Sequence, residues 1–172
     1  VESDPTSPRT VYGATKAAGE TVVLAACPQA IILRTAWVYS AHGKNFVKTM
    51  IAAGAKNPKL RVVGDQFGNP TSSDDLAQAI FAIIARIEET GWQAAYPGVY
   101  HATAQGETTW HGLAVATLEQ AARHGQTLPE IEAIRTQDWP TPAERPQDSR
   151  LNCTKLKQVF GVSLPNWRQS VA

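Results

Sequence analysis

The strongest constraint on the fold is a helix-forming stretch that leads directly into a short, wholly apolar run. Residues 10–26 are predicted to be helical, and the helix must end before Pro28 because proline cannot continue it. The residues from 30 to 33 are then apolar without interruption. An apolar run of this kind, bounded by a turn, is typical of a parallel strand buried on both faces. A helix followed by such a strand is half of a βαβ unit, so the sequence predicts an α/β protein.

Further segments continue this alternation of helices and strands. Strands are predicted at 60–63, 98–103 and 128–134, and helices at about 46–53, 72–87, 109–123 and 154–160. Asn45, Ser72 and Asn152 are predicted to cap helices with their side chains. Asp74 and Asp75 fall in the first turn of a helix, where acidic residues are stabilising. We therefore interpret this acidic pair as structural, in preference to a metal or acid–base site.

The composition is that of a globular domain without a strong charge bias. The chain has 172 residues, of which 43% are hydrophobic and 18% are charged, and its formal net charge is +1. This length is sufficient for one domain with a core, whereas a nucleic-acid-binding surface would need an excess of basic residues. No apolar run approaches the roughly 20 residues of a membrane-spanning helix. The sequence therefore predicts no nucleic-acid partner and no membrane partner.

The two cysteines, Cys27 and Cys153, are too few for a disulfide framework. They are predicted to be structural thiols in a reducing compartment. This interpretation favours a cytoplasmic location.

The two ends of the sequence predict a piece of a longer protein. The chain begins with Val1 instead of methionine, and residues 1–5 have the composition of a loop that leads into a helix. Residues 165–172 begin like a helix and stop within two turns. We therefore expect that the native N-terminus is not in view, so the absence of a signal peptide says little about location.

Tyr12 and Lys16 form a candidate catalytic pair in the first helix. Residues four apart lie on one face of a helix, one turn from each other. A cation held beside a phenol favours the phenolate, so such a pair can act as a general acid or base near neutral pH. The ammonium of Lys16 can also donate to a ribose hydroxyl. The alternative is an ordinary solvated pair of side chains.

Three further positions are candidate ligand contacts. Trp37 and Tyr39 follow the apolar strand, and ligands of open α/β sheets bind beyond the carboxyl ends of the strands; the alternative for Trp37 is a core anchor. Asn45 begins a helix, where free N–H groups attract anions, although capping is its simpler role. Arg145 can hold a phosphate with its planar guanidinium. Alternatively, Arg145 and Arg150 pair with the neighbouring acids at 144 and 148, and His101 is expected to be structural.

Several segments, in the same order along the chain, resemble the extended short-chain dehydrogenase/reductase family. Residues 12–20, Tyr-Gly-Ala-Thr-Lys-Ala-Ala-Gly-Glu, are similar to the catalytic helix of that family. The segments that resemble its nucleotide-sugar reductases are Arg-Thr-Ala-Trp-Val-Tyr (34–39), Asp-Gln-Phe-Gly-Asn-Pro-Thr (65–71), Thr-Pro-Ala-Glu-Arg-Pro (141–146) and Ser-Arg-Leu (149–151). The resemblance extends from Pro8 to Trp167.

The resemblance implies NAD(P)H-dependent reduction of the C4 ketone of a dTDP-linked 6-deoxy-L-sugar. Tyr12 would protonate the developing alkoxide, and Lys16 would assist it and hold the ribose of the nicotinamide cofactor, NADPH or NADH. Thr35 would complete the cofactor contacts. A homodimer is also predicted, since dimerisation would cover apolar surface that this chain exposes. Some relatives bind a divalent ion near the helix that starts at about residue 73, but its other ligands would lie outside this chain, so no metal is predicted.

The resemblance also implies the substrate contacts. Trp37 would pack on the sugar of the dTDP-sugar substrate. Asn45 and Arg145 would help to hold its diphosphate.

The resemblance divides the chain into two parts. Residues 1–36 and 72–105 would form the second half of an NAD(P)-binding Rossmann domain, a doubly wound parallel sheet. Residues 37–71 and 106–172 would form a small α/β substrate-binding lobe. The sequence has no Gly-x-x-Gly-x-x-Gly turn after a strand, so the first half of the Rossmann domain, with its pyrophosphate site, is expected to be missing. We expect this chain alone to be inactive and its catalytic helix to expose apolar surface.

Two other functions are compatible with the same motifs. One is a nucleotide-sugar epimerase or dehydratase of the same superfamily, which shares the Tyr–Lys pair and recycles its oxidised cofactor. The other is a non-catalytic regulatory subunit, such as that of methionine adenosyltransferase. Only a reductase consumes reduced cofactor during turnover.

Overall fold

The computed structural model describes residues 1–142 and 144–172. The six α-helices of this described part are α1 (Val11–Ala26), α2 (Phe46–Gly54), α3 (Ser73–Thr90), α4 (Trp110–Arg123), α5 (Thr154–Phe160) and α6 (Trp167–Val171). The strands are β1 (Ile31–Arg34), β2 (Val38–Tyr39), β3 (Lys59–Val63), β4 (Phe67–Gly68), β5 (Thr71–Ser72), β6 (Gly98–His101), β7 (Thr108–Thr109) and β8 (Glu130–Ile134). The predicted helices and strands are all present, with ends that differ by a few residues.

Side-chain caps explain where the helices begin. The Thr10 side chain accepts the Gly13 N–H at the start of α1, and Asn45 accepts the Lys48 N–H at the start of α2 over 3.1 Å. Ser72 caps α3 through the Asp74 N–H. These bonds satisfy backbone donors that have no partner within the helix. The predicted capping roles of Asn45 and Ser72 are therefore confirmed.

Of the four small sheets formed by the described residues, three are parallel, which confirms the α/β class. Strand β1 pairs with β6, with Ile31 opposite Gly98 and Arg34 opposite His101. Strand β3 pairs with β8 along five residues, β2 pairs with β5, and only β4 and β7 are antiparallel. The β1–β6 pair therefore joins segments from the two ranges, 1–36 and 72–105, that the sequence assigns to a Rossmann domain; that domain division stays a prediction.

Two hydrophobic clusters organise the packing. The larger one lies between α3, α5 and the β1–β6 pair, and its fully buried members include Tyr100 and Leu156. The smaller cluster is built from α4 and α6 around Leu113 and Trp167. Trp37 packs against this smaller cluster. The smaller cluster therefore holds Trp37, which follows β1, in a fixed position.

Helix α1 lies on the outside of the protein. None of its residues is buried, and Val11, Val22 and Val23 are exposed. Among the described residues, β1 has β6 as its only strand partner, so its other edge is open. The apolar surface that we expected on this helix is thus present. In the part of the chain that the structure describes, no helix has the length and apolar character needed to span a membrane.

Candidate functional site

A cavity of about 470 Å³ lies between β2, α2, β3, the start of α4 and the loop after β8. Five of its lining residues are aromatic, and three are cationic: Trp37, Tyr39, Phe46, Trp110 and Trp139, with Lys44, Arg61 and Arg145. No acidic residue is found among its described lining residues. The cavity therefore suits an anionic ligand that also carries flat or apolar parts.

The aromatic wall of the cavity is a stacked pair of indoles. The rings of Trp37 and Trp110 are nearly parallel, with 3.6 Å between their centroids and 8° between their planes. The Phe46 ring is tilted against Trp110, with 4.7 Å between centroids. Aromatic contacts of this kind add to the energy of area burial. Together with Phe46 of α2, the pair forms a rigid surface built from α2, α4 and the segment after β1.

Both faces of the Trp37 indole are covered. A Cβ atom on Gly68 would lie 2.4 Å from Cε2 of Trp37 and 2.7 Å from the two atoms bonded to it, so Gly68 faces the plane of the ring. Since Trp110 occupies one side, Gly68 covers the other. Trp110 and Gly68 therefore restrict the contact that a ligand can make with the faces of the Trp37 ring. This placement refines the expectation that Trp37 packs on the sugar.

The backbone of Trp37 is unusual. Its φ is 51°, and it is the only residue other than glycine with positive φ in the part of the chain that the structure describes. A bulky side chain disfavours this left-handed conformation, which persists only where surrounding contacts impose it. Such strain in a ligand cavity is a common property of functional sites.

Asn45 and Arg145 lie in the lining of the same cavity. The amide of Asn45 caps α2 and donates to the Ser40 carbonyl over 2.6 Å. A primary amide has two N–H groups, so one donor remains for a ligand. The structure therefore brings together three predicted substrate contacts, at positions 37, 45 and 145.

Arg145 and Arg150 have different surroundings. Arg150 donates to Asp148 through Nε over 2.9 Å and to Glu107 through Nη1 over 2.8 Å, so one of the predicted ion pairs is present. Glu144 pairs with Arg9 over 3.0 Å. Arg145 instead lines the cavity. This difference favours Arg145 as the phosphate ligand.

Tyr12 and Lys16 lie apart from this lining. Tyr12 is 73% exposed, and Nζ of Lys16 is 5.4 Å from the centroid of its ring, so the two side chains share a face of α1. Thr35 is exposed just after β1. In this chain the predicted cofactor contacts are thus open to solvent, and no described residue covers the phenol.

Two other titratable side chains are excluded from acid–base roles by burial. Burial, with the Asp75 carboxylate nearby, raises the pKa of Tyr39 to about 12, so its phenol stays protonated at neutral pH. His101 is 3% exposed, and its ring lies 3.2 Å from the Asn152 carbonyl oxygen. The structural role predicted for His101 is confirmed.

Several lining residues were not identified from the sequence. These are Lys44, Arg61, Gln66, Trp110 and Trp139. Trp110 was recognised only as the beginning of a helix, because its stacking partner lies far away in the sequence. A tryptophan at the first position of a helix, next to the helix N-terminus, is the local signal that could have identified it.

Comparison with known proteins gives a consistent result. The model of a family described as the RmlD substrate binding domain matches residues 1–172. A dTDP-4-dehydrorhamnose reductase of Sinorhizobium fredii is 41% identical over 169 residues, which are 98% of this chain and 57% of that protein. The crystal structure of a dTDP-4-dehydrorhamnose reductase from Clostridium acetobutylicum superposes with a TM-score of 0.87 at 35% identity, covering 99% of this chain and 56% of that chain.

A further solved structure is that of the dTDP-4-dehydrorhamnose reductase of Bacillus anthracis in complex with NADP. It has a TM-score of 0.87 at 29% identity and covers 99% of this chain and 56% of that chain. The chain thus spans little more than half the length of the relatives that it matches.

Proposed function

The chain belongs to the RmlD substrate binding domain family, and on this basis we propose that the whole protein is a reductase of a dTDP-sugar. The reaction is reduction of the C4 ketone of dTDP-4-dehydro-L-rhamnose to dTDP-L-rhamnose, with NADPH or NADH as reductant. The observation that carries the proposal is the cavity, which combines an aromatic wall with three cationic side chains. A nucleoside diphosphate linked to a deoxysugar presents these two chemistries, anionic and apolar.

The residues of this chain fit the nicotinamide end of the cofactor. Tyr12 and Lys16 are exposed on one face of α1, so an ammonium and a phenol are available to a ribose and to a reacting carbonyl. Thr35, at the end of β1, is exposed as well. When bound, the reduced nicotinamide supplies a hydride to the carbonyl carbon. The sequence has no glycine-rich pyrophosphate turn, so the rest of the cofactor needs residues outside this chain.

Tyr12 is the proton donor in the proposed mechanism. Its phenol gives a proton to the oxygen at C4 as negative charge develops there. Lys16 stabilises the phenolate that remains and donates to the ribose hydroxyls. Tyr39 is a weaker proton donor than an ordinary phenol, because burial raises its pKa to about 12.

The cavity residues orient the substrate for this transfer. Arg145, with Lys44 and Arg61, neutralises the diphosphate. Asn45 donates its remaining amide N–H to the ligand. The edge of Trp37 contacts the deoxysugar, whose methyl group suits an apolar partner. The cavity thereby fixes the sugar relative to α1.

Turnover of reduced cofactor tests this function directly. We expect the whole protein to oxidise NADPH or NADH in proportion to added dTDP-4-dehydro-L-rhamnose. Tyr12→Phe should lower kcat by about 10²-fold or more, since a general acid contributes 10²–10⁴. Tyr96→Phe is the matched control, because it also removes one phenol oxygen, from a residue in the core cluster around α3 and α5, and should leave turnover unchanged.

Two results would indicate a different function. A protein that binds cofactor and interconverts dTDP-sugars without net consumption of it would be an epimerase or dehydratase. A protein that binds cofactor and turns over no dTDP-sugar would be a regulatory subunit.

We also propose a cytoplasmic location. Its support is that both cysteines, Cys27 and Cys153, have free thiols in the described structure, as in a reducing compartment. A homodimer stays a prediction, to be measured by analytical ultracentrifugation of the whole protein.

A further inference from the structure

A continuous chain of hydrogen bonds runs from Trp110 in the cavity lining to Asp65. Nε1 of Trp110 donates to Oε1 of Gln66 over 3.1 Å, and Nε2 of Gln66 donates to Oγ1 of Thr136 over 3.0 Å. The Thr136 hydroxyl donates to Oδ1 of Asp65 over 2.6 Å. An indole N–H can only donate and a carboxylate can only accept, so the amide and the hydroxyl between them have a single orientation.

The hydrogen-bond chain is protected from water at its centre. Gln66 is only 4% exposed, and both polar atoms of its amide are used by partners on other elements. The Asp65 carboxylate also accepts the backbone N–H of Thr136, at 2.9 Å and 3.0 Å from its two oxygens. A buried polar chain whose members are bonded to one another rigidifies its surroundings, whereas loss of one member leaves its partners unpaired.

The two ends of this hydrogen-bond chain reach different sides of the cavity. At one end, Trp110 is stacked on Trp37. At the other end, Thr136 begins a short 3-10 helix, Thr136–Asp138, which leads directly to Trp139 in the cavity lining. One set of hydrogen bonds therefore fixes the aromatic wall and the start of the loop that carries Arg145.

On the basis of the proposed function, we propose that Asp65, Gln66 and Thr136 are positioning residues of the sugar-nucleotide site, which hold the Trp37–Trp110 wall in the orientation that a dTDP-linked ligand requires. They act through Trp110 and the loop after β8, and they take no part in the transfer of the proton or the hydride. Their loss therefore lowers affinity for the ligand and leaves the chemical step intact.

The segment 65–71, one of those that carry the resemblance, thereby has a physical role in the cavity. Asp65 and Gln66 supply the supporting bonds, and Gly68, three residues after Asp65, leaves room for the ring of Trp37. The segment 65–71 thus shapes one wall of the cavity, to whose lining Gln66 also belongs.

Indole resonances of the tryptophans test the positioning without any ligand. The chain has five tryptophans, so five indole N–H signals are expected in a ¹⁵N–¹H NMR spectrum, and Trp110→Phe and Trp37→Phe identify two of them. Gln66→Met keeps the length of the side chain and removes both hydrogen bonds. We expect it to shift the Trp110 signal, through the lost bond, and the Trp37 signal, through the altered stack. Gln78→Met, at an exposed site on α3, should shift neither.

Affinity for dTDP tests the functional part. Thr136 lies outside the cavity lining, so Thr136→Val separates positioning from direct contact with the ligand. Isothermal titration with dTDP should give a Kd raised about tenfold in Gln66→Met and in Thr136→Val, as expected from one unpaired buried donor. Thr136→Ser, which keeps the hydroxyl, should restore the wild-type Kd. In the whole protein KM should rise by the same factor while kcat stays within about twofold.

The outcomes separate the two proposals. If Gln66→Met leaves the Trp37 and Trp110 signals unmoved, the positioning role is wrong whether or not dTDP binds. It is also wrong if wild type binds dTDP and Thr136→Val binds it equally well. If wild type shows no affinity for dTDP while the indole signals respond as expected, the proposed substrate fails and the supporting role of Gln66 stands.

Discussion

The guanidinium of Arg34 meets both carboxylate oxygens of Glu20, with 2.8 Å from Nε to Oε1 and 2.6 Å from Nη2 to Oε2. The two side chains are only 23% and 21% exposed. The pair joins the end of β1 to α1, one turn beyond Lys16. Because α1 buries no residue of its own, this pair is a main attachment of the candidate catalytic helix.

Arg34→Ala should detach that helix from the sheet. The partly buried Glu20 carboxylate would lose a charged donor, which costs about 1.5–3 kcal/mol of unfolding free energy. Urea denaturation measures the change, with Arg86→Ala as the control. Arg86 pairs with Glu89 at the surface, and such exposed pairs contribute little. Equal midpoints for Arg34→Ala and wild type would contradict the anchoring role.

The stability of the protein should fall as the pH decreases below about 6.5. Burial lowers the pKa of the His101 imidazole from its ordinary value of 6.5, against the opposing attraction of Glu2. The unfolded chain therefore binds a proton at a pH where the folded chain does not, and the free energy of unfolding decreases as the pH falls through that window. Chemical denaturation at a series of pH values measures the slope. His101→Gln should flatten it, whereas His124→Gln, at an exposed site, should not.

Gly68→Ala should disturb the aromatic wall by steric overlap. The new methyl group would lie 2.4 Å from Cε2 of Trp37, so the ring must move or the strand must shift, at a cost of about 1–3 kcal/mol. We expect a lower thermal midpoint and weaker binding of dTDP. Gly19→Ala adds the same methyl group to open space on α1, and should stabilise the protein by about 0.5–1 kcal/mol. A Gly68→Ala variant with unchanged dTDP affinity would show that Trp37 can move without consequence.

Arg145 and Arg150 should differ in their effect on ligand binding. Arg145→Gln is expected to raise the Kd for dTDP about tenfold, since a charge-assisted hydrogen bond to phosphate contributes about 1.5–3 kcal/mol. The effect should shrink at high salt. Arg150→Gln should leave the Kd unchanged, because Arg150 is bonded to Asp148 and Glu107. The reverse result would assign the diphosphate to Arg150.

Local signals were sufficient to predict the helices and the four longer strands, but not the two-residue strands β2, β4, β5 and β7. The cap at Asn45, the acidic first turn of α3 and the proline after α1 each act within a few residues, so they can be read from the sequence. The position of Trp37 in the cavity lining was also predictable, because Trp37 follows the carboxyl end of a parallel strand, where ligands of open α/β sheets bind. Asn45 and Arg145 came from the resemblance, and both lie in the cavity lining.

The wall of the cavity was not predictable, since its contacts join distant parts of the chain. Neither the stack of Trp37 on Trp110 nor the bond from Trp110 to Gln66 leaves a periodic pattern in the sequence. The covered faces of Trp37 were equally hidden, because they depend on the backbone position of Gly68. The sequence indicated which residues matter around Trp37, but not the direction in which its ring points.

The left-handed backbone at Trp37 has a consequence for the order of folding. The contacts that offset the cost of this conformation, about 1–2 kcal/mol, include those from β4 and from the start of α4. Trp37 should therefore reach its final conformation only after those elements have docked, which makes the cavity one of the last parts of the molecule to assemble. By the same reasoning, amide hydrogen exchange at Val38 should be faster than at Tyr100 in the core. A bound ligand should slow the exchange at Val38 before it affects the exchange at Tyr100.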